Sequence, residues 1–408
     1  MATFLLIIIY IAFISLGLPD AVLGAAWPVM QTTLDAPMEA AGYLFSMVSV
    51  GTILSSLFSG RMLNRFGTGR VTMVSVLMTA TALLGFHFAP SLSWLFLFTL
   101  PLGLGAGAVD AGLNDFISVH YQAHHMNWLH SFWGVGATIG PIVLAQYMAN
   151  GNSWRDGYFL IAIFQFILSA VLLLTLPIWS KVSRKQKFIV ETDHAQPHHP
   201  ELEKESSLHP FKMKGVNYAL FTFLFYSGIE QTVGLWGSTF LVDVKNIEPA
   251  QAARWVSFYF LGITIGRFVS GFVSFKLTNR QLIRAGQMIA LLGVILLILP
   301  LPNIISLMSY ITIGFGLAPI FPSMLHETPA RFGKKNSQTI MGYQMAVGYT
   351  GTTILPPLFG MIASRTTTAF MPVFLISYAV IMIASTERLN RLKPELVPLN
   401  KESTSVSR

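Results

Sequence analysis

Long apolar segments separated by short polar loops run along most of the chain. An α-helix crosses the roughly 30 Å of bilayer hydrocarbon with about 20 apolar residues. Segments of that kind recur along the sequence at approximately 4–28, 40–59, 71–89, 93–117, 127–149, 157–178, 216–241, 253–274, 283–300, 304–325, 338–362 and 369–386. The pattern therefore predicts an all-α integral membrane protein with twelve transmembrane helices.

One long hydrophilic stretch interrupts this pattern halfway along the chain. Residues 180–215 are rich in charge, histidine and proline, a composition typical of a linker. The stretch divides the chain into an N-terminal six-helix bundle, 1–179, and a C-terminal six-helix bundle, 216–386, which is followed by a tail at 387–408. The first apolar segment lacks the basic start of a cleaved signal peptide, so we expect it to be retained as a helix.

Composition supports a membrane protein and excludes several other classes. Of the 408 residues, 53% are hydrophobic and only 11% are charged, less than half of the roughly 25% typical of a soluble domain. The chain has no cysteine, which excludes disulfides, thiolate metal sites and a cysteine nucleophile. The histidines lack the spacing of a metal site, and no phosphate-binding loop is present. We expect no enzyme activity, metal, cofactor or nucleic-acid partner.

The net charge of +8 arises from the loops on one side of the predicted membrane. Of the 26 Lys and Arg residues, 21 fall on that side, four fall on the other side, and Arg267 lies inside a span. Because basic loops stay in the cytoplasm, both termini and residues 180–215 are predicted to be cytoplasmic. We expect a multi-pass protein of the plasma membrane.

The two halves of the sequence repeat each other at an offset of 210 to 215 residues. Four helix pairs carry the repeat: Asp20-xxx-Gly24 with Glu230-xxx-Gly234, Gly51…Gly60 with Gly262…Gly271, Gly103-Leu-Gly105 with Gly314-Phe-Gly316, and Gly136…Pro141 with Gly351…Pro356. A near-constant offset over four pairs predicts two parallel six-helix repeats. Such proteins carry their substrate path at the interface of the repeats, near the membrane midplane.

The loop after the second span resembles a signature of the major facilitator superfamily. It reads Gly60-Arg-Met-Leu-Asn64-Arg65-Phe-Gly67-Thr-Gly-Arg70, similar to the pattern Gly-xxx-Asp-Arg/Lys-x-Gly-xx-Arg/Lys. The resemblance extends over essentially the whole chain and implies the twelve-helix major facilitator fold, with a structural or gating role for these loop residues. Asn64 stands where the family carries an acid, so a gating contact that depends on that acid is not expected.

Three further stretches resemble the fucose–galactose–glucose:proton symporters, the fucose permease group. They are Pro19-Asp20…Pro28, Val109-Asp110-Ala-Gly-Leu-Asn114 and Leu129-His130-Ser-Phe-Trp133-Gly-Val-Gly136-Ala. In that group an acid in helix one and an acid in helix four serve substrate binding and proton coupling. The resemblance implies these roles for Asp20 and Asp110, and Asn114 matches a polar residue one turn below.

Four charged residues lie deep inside predicted spans, namely Asp20, Asp110, Glu230 and Arg267. A charge at that depth is costly, so such residues face a cavity or a partner. Burial favours the protonated form of a carboxylic acid, which makes Asp110, set among glycines and alanines, a candidate proton site. Glu230 and Arg267 are alternatively a structural ion pair or a substrate-binding and gating pair. His130 is expected nearer the cytoplasmic end of its span.

Each of the acids has an alternative structural interpretation. Asp110 could be a buried acid satisfied by Asn114, His130 or a backbone group. Asp20, which follows a proline that interrupts its helix, could make a static hydrogen bond instead of binding substrate.

Aromatic and amide side chains complete the candidate binding site. Trp27, Trp133 and Trp236 lie within spans, and an aromatic face beside carboxylates suits a sugar, although plain helix packing explains them equally well. The polar candidates of the same spans are Gln31, Gln165, Gln231 and Gln344. Of these, we expect Gln231 and Gln344 to contact substrate.

The function favoured by the sequence is secondary active transport by alternating access. We expect proton-coupled uptake of a sugar or similar small polar solute by a monomer in the lipid bilayer. The alternative is proton-coupled efflux of amphipathic compounds or drugs, which is weakened because helix four carries no arginine, whereas drug antiporters of the superfamily often do. A third possibility is a receptor or assembly protein that retains the fold without transport.

Overall fold

The computed structural model describes residues 2–121, 123–193 and 213–392. These residues form fourteen α-helices and one short 3-10 turn, Thr368–Phe370. The helices are α1 (Ala2–Asp20), α2 (Val22–Thr33), α3 (Ala40–Phe66), α4 (Thr68–His87), α5 (Leu92–His120), α6 (Ala123–Ala149), α7 (Trp154–Asp193), α8 (Val216–Lys245), α9 (Pro249–Val273), α10 (Asn279–Ile298), α11 (Asn303–Leu317), α12 (Ile320–Phe332), α13 (Lys334–Ala363) and α14 (Met371–Arg391).

These helices account for twelve spans, as the sequence predicts. Ten segments of the described chain are long and apolar enough to cross a membrane, and α1 with α2, and α11 with α12, each form one of them. The other two are α8 and α13, which have 30 residues each but a less apolar sequence. Thirty residues of helix extend about 45 Å, so both still have the length to span the bilayer.

Two helices continue beyond the spans predicted from hydropathy. α7 has 40 residues and runs to Asp193, so the predicted boundary at residue 179 falls inside a helix. α14 runs to Arg391, past the predicted end at 386. Hydropathy marks where the apolar part of a helix ends, but Lys, Arg, Gln and Glu are good helix formers and continue the backbone hydrogen bonding into the polar region. Residues 194–212 of the predicted linker lie outside the described residues.

The sequence repeat is visible in the packing of the two halves. Gly103 of α5 lies so close to α3 that a Cβ there would be 2.2 Å from the Val48 carbonyl oxygen. Its repeat partner Gly314, in α11, lies equally close to α9, where a Cβ would be 2.1 Å from the Tyr259 carbonyl oxygen. The same helix pairs therefore make the same close approach in each half, which small residues permit.

The two halves contact each other along α6 and α9, and also at one end of the bundle. We call this end the far side, since it lies opposite the end where α7 stops and α8 begins, the linker side. On the far side α2 packs on α8, and Gly24 meets the backbone of Gly234 and Leu235. Ser238 Oγ donates to the Ala25 carbonyl oxygen at 3.2 Å in the same contact.

A second contact closes the same end of the molecule. Gly42, at the start of α3, lies against Pro357 of α13. Ser46 Oγ donates to the Thr353 carbonyl oxygen at 3.2 Å between the same helices. The far side of the path between the halves is therefore closed in this conformation.

Candidate functional site

The centre of the first span is a break between α1 and α2 caused by proline. Pro19 has no backbone N–H, so the carbonyl of Ser15, four residues earlier, loses its helical partner. Gln165 of α7 replaces that partner, because its Nε2 donates to the Ser15 carbonyl oxygen at 2.8 Å. α1 ends at Asp20 and α2 begins at Val22. A break of this kind at mid-membrane is tolerated where it lines a cavity.

Asp20 lies at this break and is held by an indole. Trp133 Nε1, from α6, donates to Asp20 Oδ2 at 2.7 Å. Although Asp20 is at the middle of its span, it is exposed. Water can therefore reach a carboxylate in the interior of the bundle, which is the environment expected for a binding or coupling residue rather than for a packed core.

Asp110 of α5 is the second acid of the site. Asn114 Nδ2 donates to Asp110 Oδ1 and to the Asp110 carbonyl oxygen, both at 2.9 Å. The Tyr349 hydroxyl of α13, in the other half, also interacts with the Asp110 carboxylate. Asp20 and Asp110 are close enough for their charges to repel each other. The structure thus brings the two sequence-predicted acids into one site.

Glu230 and Arg267 form the ion pair that the sequence allows. Arg267 Nη2 lies 3.7 Å from Glu230 Oε1, and both side chains are largely buried. Arg267 also reaches the other half, where its Nη1 donates to the His130 carbonyl oxygen at 3.4 Å and its guanidinium carbon lies 5.4 Å from the Trp133 ring centre. His130 lies in the first third of α6, and the long Arg267 side chain reaches its carbonyl oxygen from α9. The expectation that His130 is nearer the cytoplasmic end of its span stays a prediction.

Together these contacts join the halves through one series of polar and aromatic groups. The series runs from Asp20 through Trp133 and Arg267 to Glu230. Trp133 is its central member, because it contacts a carboxylate of its own half and a cation of the other half.

The remaining predicted binding residues do not join this group in the present conformation. Trp27 is completely buried, and the Trp236 Nε1 donates to the Pro356 carbonyl oxygen at 2.7 Å inside the C-terminal half. Gln344 is buried and accepts from Thr328 Oγ1 at 3.0 Å. Gln231 is half-buried. A substrate contact for any of the four stays a prediction.

The residues of the superfamily signature lie in the last turns of α3 and the first turn of α4, and Gly67 alone connects the two helices. Gly67 has a φ of 81°, a conformation that favours glycine because it has no Cβ. Gly60, Asn64, Arg65 and Arg70 are exposed, and a Cβ at Gly60 would contact nothing within 4 Å. Their gating role stays a prediction.

Sequence reasoning missed Tyr349 as a member of the site. Tyrosine counts as apolar when spans are located, so a tyrosine inside a span is not distinguished as a polar candidate. The low hydropathy of α13, which falls below the level of the ten most apolar spans, is the signal that could have pointed to it. Among the described residues, no group of three or more His, Cys, Asp or Glu side chains could hold a metal ion.

A bundle of two repeated halves with a water-reachable polar site at their contact is the architecture of a membrane carrier. The Major Facilitator Superfamily model matches residues 9–356, which is most of the chain. The protein belongs to this superfamily. It is a multi-pass membrane transporter rather than an enzyme, as the sequence predicts.

Individual relatives are distant in sequence but match over most of the chain. A glucose/mannose transporter, GlcP, of Bacillus subtilis is 21% identical over 394 residues, 95% of this chain and 94% of the relative. Bypass of stop codon protein 6 of Saccharomyces cerevisiae is 22% identical over 395 residues, 89% of this chain and 77% of the relative.

Solved structures show the same fold at low sequence identity. The D-xylose–proton symporter superimposes with a TM-score of 0.73 at 14% identity, and the match covers 96% of this chain and 98% of the symporter. The nucleoside transporter NupG superimposes with a TM-score of 0.72 at 13% identity, and covers 94% of this chain and 98% of that one.

Proposed function

We propose that the protein takes up a sugar or similar small polar solute together with a proton. The observation that carries the proposal is the pair Asp20 and Asp110, two acids in one water-reachable site at the contact of the two halves. Each acid is fixed by a neutral side chain rather than by a cation, Trp133 in one case and Asn114 in the other. A carboxylate in such a position can exchange a proton with water.

The relatives support a sugar as the solute. One relative that matches nearly the whole chain is named as a glucose/mannose transporter, and one structural neighbour is a D-xylose–proton symporter. The motifs around Asp20, Asp110 and Trp133 also resemble the fucose permease group. A sugar has an apolar C–H face and hydroxyls that need hydrogen bonds, and the site offers the indole of Trp133 beside carboxylates.

Asp110 is the better candidate for the proton carrier. A charged carboxylate in a low-dielectric path is costly, and protonation removes that cost. Asp110 interacts with Tyr349 of the opposite half, so its surroundings change when the halves move relative to each other. Such a change of partner is what a carrier needs in order to bind a proton on one side and release it on the other. Asp20 then serves the substrate.

The test separates coupling from binding. Asp110→Asn keeps the volume of the protonated acid but cannot titrate. In proteoliposomes it should abolish accumulation of D-glucose driven by a pH gradient and leave exchange of D-glucose at equal concentrations intact. Asp20→Asn should reduce exchange as well. Normal accumulation by Asp110→Asn would refute the assignment of the proton to this residue.

The orientation in the membrane follows from the basic residues. The excess of Lys and Arg in the linker-side loops favours a plasma-membrane protein with both termini in the cytoplasm. Because the far side is closed, this conformation then faces the cytoplasm, and rocking of the two six-helix halves about the central site gives alternating access. The site is complete within one chain, so a monomer suffices.

A further inference from the structure

A cavity lies inside the N-terminal half, beside α1 and bounded by α3, α4, α5 and α7. It offers about 50 Å³ to the centres of water-sized molecules, enough for roughly three to five waters. The residues of α1 that line it are spaced as one helical face, which Leu23 of α2 continues: Ala12, Ser15, Leu16, Pro19 and Asp20. Asp20 therefore connects this cavity with the site between the halves.

Gln165 of α7 is the unusual residue of the cavity wall. Its side chain is 1% exposed, and its amide nitrogen is committed to the Ser15 carbonyl oxygen. The amide oxygen, Oε1, is buried and has no hydrogen-bond partner among the residues that the structure describes. A buried acceptor without a partner costs about 1–3 kcal/mol. This acceptor therefore needs a hydrogen-bond donor that the described part of the chain does not supply.

Three hydroxyls lie on the wall, those of Ser15, Thr79 and Tyr158, and none of them is bonded to Gln165 Oε1. Thr79 donates to the Val76 carbonyl oxygen at 2.9 Å, and Tyr158 is directed at the Met30 sulfur at 3.9 Å. The polar groups left for an occupant are then two acceptors, Gln165 Oε1 and the Asp20 carboxylate, and the Ser15 hydroxyl. An occupant must bring its own donors, and hydroxyl groups are donors of the right size.

The rest of the wall is apolar, including Leu23 and Phe45. Such a surface suits the C–H groups of a solute that carries hydroxyls.

We propose that this cavity is a subsite that receives a hydroxyl-bearing arm of the transported solute, with Gln165 Oε1 as the acceptor for one hydroxyl. The inference rests on the proposed function and assigns to Gln165 a direct contact with the solute. The series of polar groups at the interface would hold the remainder of the molecule.

The test compares D-glucose with its monodeoxy analogues and with D-xylose, which lacks the hydroxymethyl arm. Exchange affinity is measured in proteoliposomes for the unmodified protein and for Gln165→Leu. Loss of a neutral hydrogen bond changes affinity by roughly three- to tenfold. Gln165→Leu should therefore lower the affinity for D-glucose by that factor. It should leave unchanged the affinity for the one analogue that lacks the hydroxyl bound by Gln165.

A matched control is Gln287→Leu. Gln287 is also 1% exposed, its Nε2 also donates, to Thr386 Oγ1 at 2.8 Å, and its Oε1 also lacks a partner, but it lies in α10 of the other half. This variant should preserve the full preference for hydroxylated sugars. If Gln165→Leu does not fold, Gln165→Asn, which withdraws the amide by one methylene, allows the same comparison.

The outcomes distinguish this proposal from the proposed function. Equal losses for every analogue in Gln165→Leu would mean that Gln165 only stabilises α1 through Ser15, and would overturn the subsite while sugar transport stood. If the unmodified protein exchanged none of the sugars, both proposals would fail.

Discussion

The contact between Gly24 and Gly234 should control how firmly the far side is closed. At Gly24 a Cβ would lie 2.2 Å from the Gly234 carbonyl oxygen and 2.7 Å from Leu235 Cα, whereas ordinary contact begins at 3.4 Å. Gly24→Ala therefore requires α2 and α8 to separate by about 1 Å, since backbone atoms cannot rotate away as a side chain can. Overpacking of this kind costs about 1–3 kcal/mol.

This overpacking raises the free energy only of the conformation in which α2 and α8 are in contact. A bias of 1–3 kcal/mol changes a two-state equilibrium by roughly 5- to 150-fold, so Gly24→Ala should enrich the state that is open on the far side. Because the chain has no cysteine, Ser46→Cys gives a single thiol at the second far-side contact. The rate at which a water-soluble maleimide labels this thiol, measured on purified protein in nanodiscs, reports how often the far side opens. In Gly24→Ala this rate should rise by a comparable factor.

Gly342→Ala is the matched control for this experiment. Gly342 is also a helical glycine, in α13, but a Cβ there would contact nothing within 4 Å, so this variant should label at the rate of the unmodified protein. If Gly24→Ala also labelled at that rate, α2 and α8 would be able to absorb the extra methyl group. The conclusion that this contact closes the path would then be wrong.

Two further predictions concern the ion pair and the topology. Glu230→Gln should lower stability by up to about 3–5 kcal/mol, because it leaves Arg267 as a buried charge without its partner. Adding Arg267→Gln should recover part of that loss in detergent melting, and strictly additive losses would argue against pairing. A single cysteine at position 198 should react with an impermeant maleimide only after the cells are permeabilised, and labelling of intact cells would contradict a cytoplasmic linker.

The sequence by itself determined the spans and the repeat. Apolar length and helical period are local properties, so residues within one segment reveal a span without knowledge of its neighbours. The offset between Gly103 and Gly314 likewise appears in the sequence, and the structure confirms it as the same close packing in both halves. The pair Glu230 and Arg267 could be predicted because each lies deep in consecutive spans, where an unpaired charge is costly.

The tertiary structure decided which partners the central residues take. Sequence reasoning could not choose among Trp27, Trp133 and Trp236, and only the packing of α6 on α1 brings Trp133 to Asp20 across 113 positions of sequence. Trp27 and Trp236 are instead buried inside the bundle.

The side chains around Asp110 and Ser15 show the same limit. Tyr349 reaches Asp110 from the other half only because the halves meet in this arrangement. Pro19 predicts that the Ser15 carbonyl loses its helical donor, but the residue that replaces the donor, Gln165, lies 150 positions away. The local sequence therefore predicts which groups lack a hydrogen-bond partner. Which residue supplies that partner depends on how helices distant in sequence pack together.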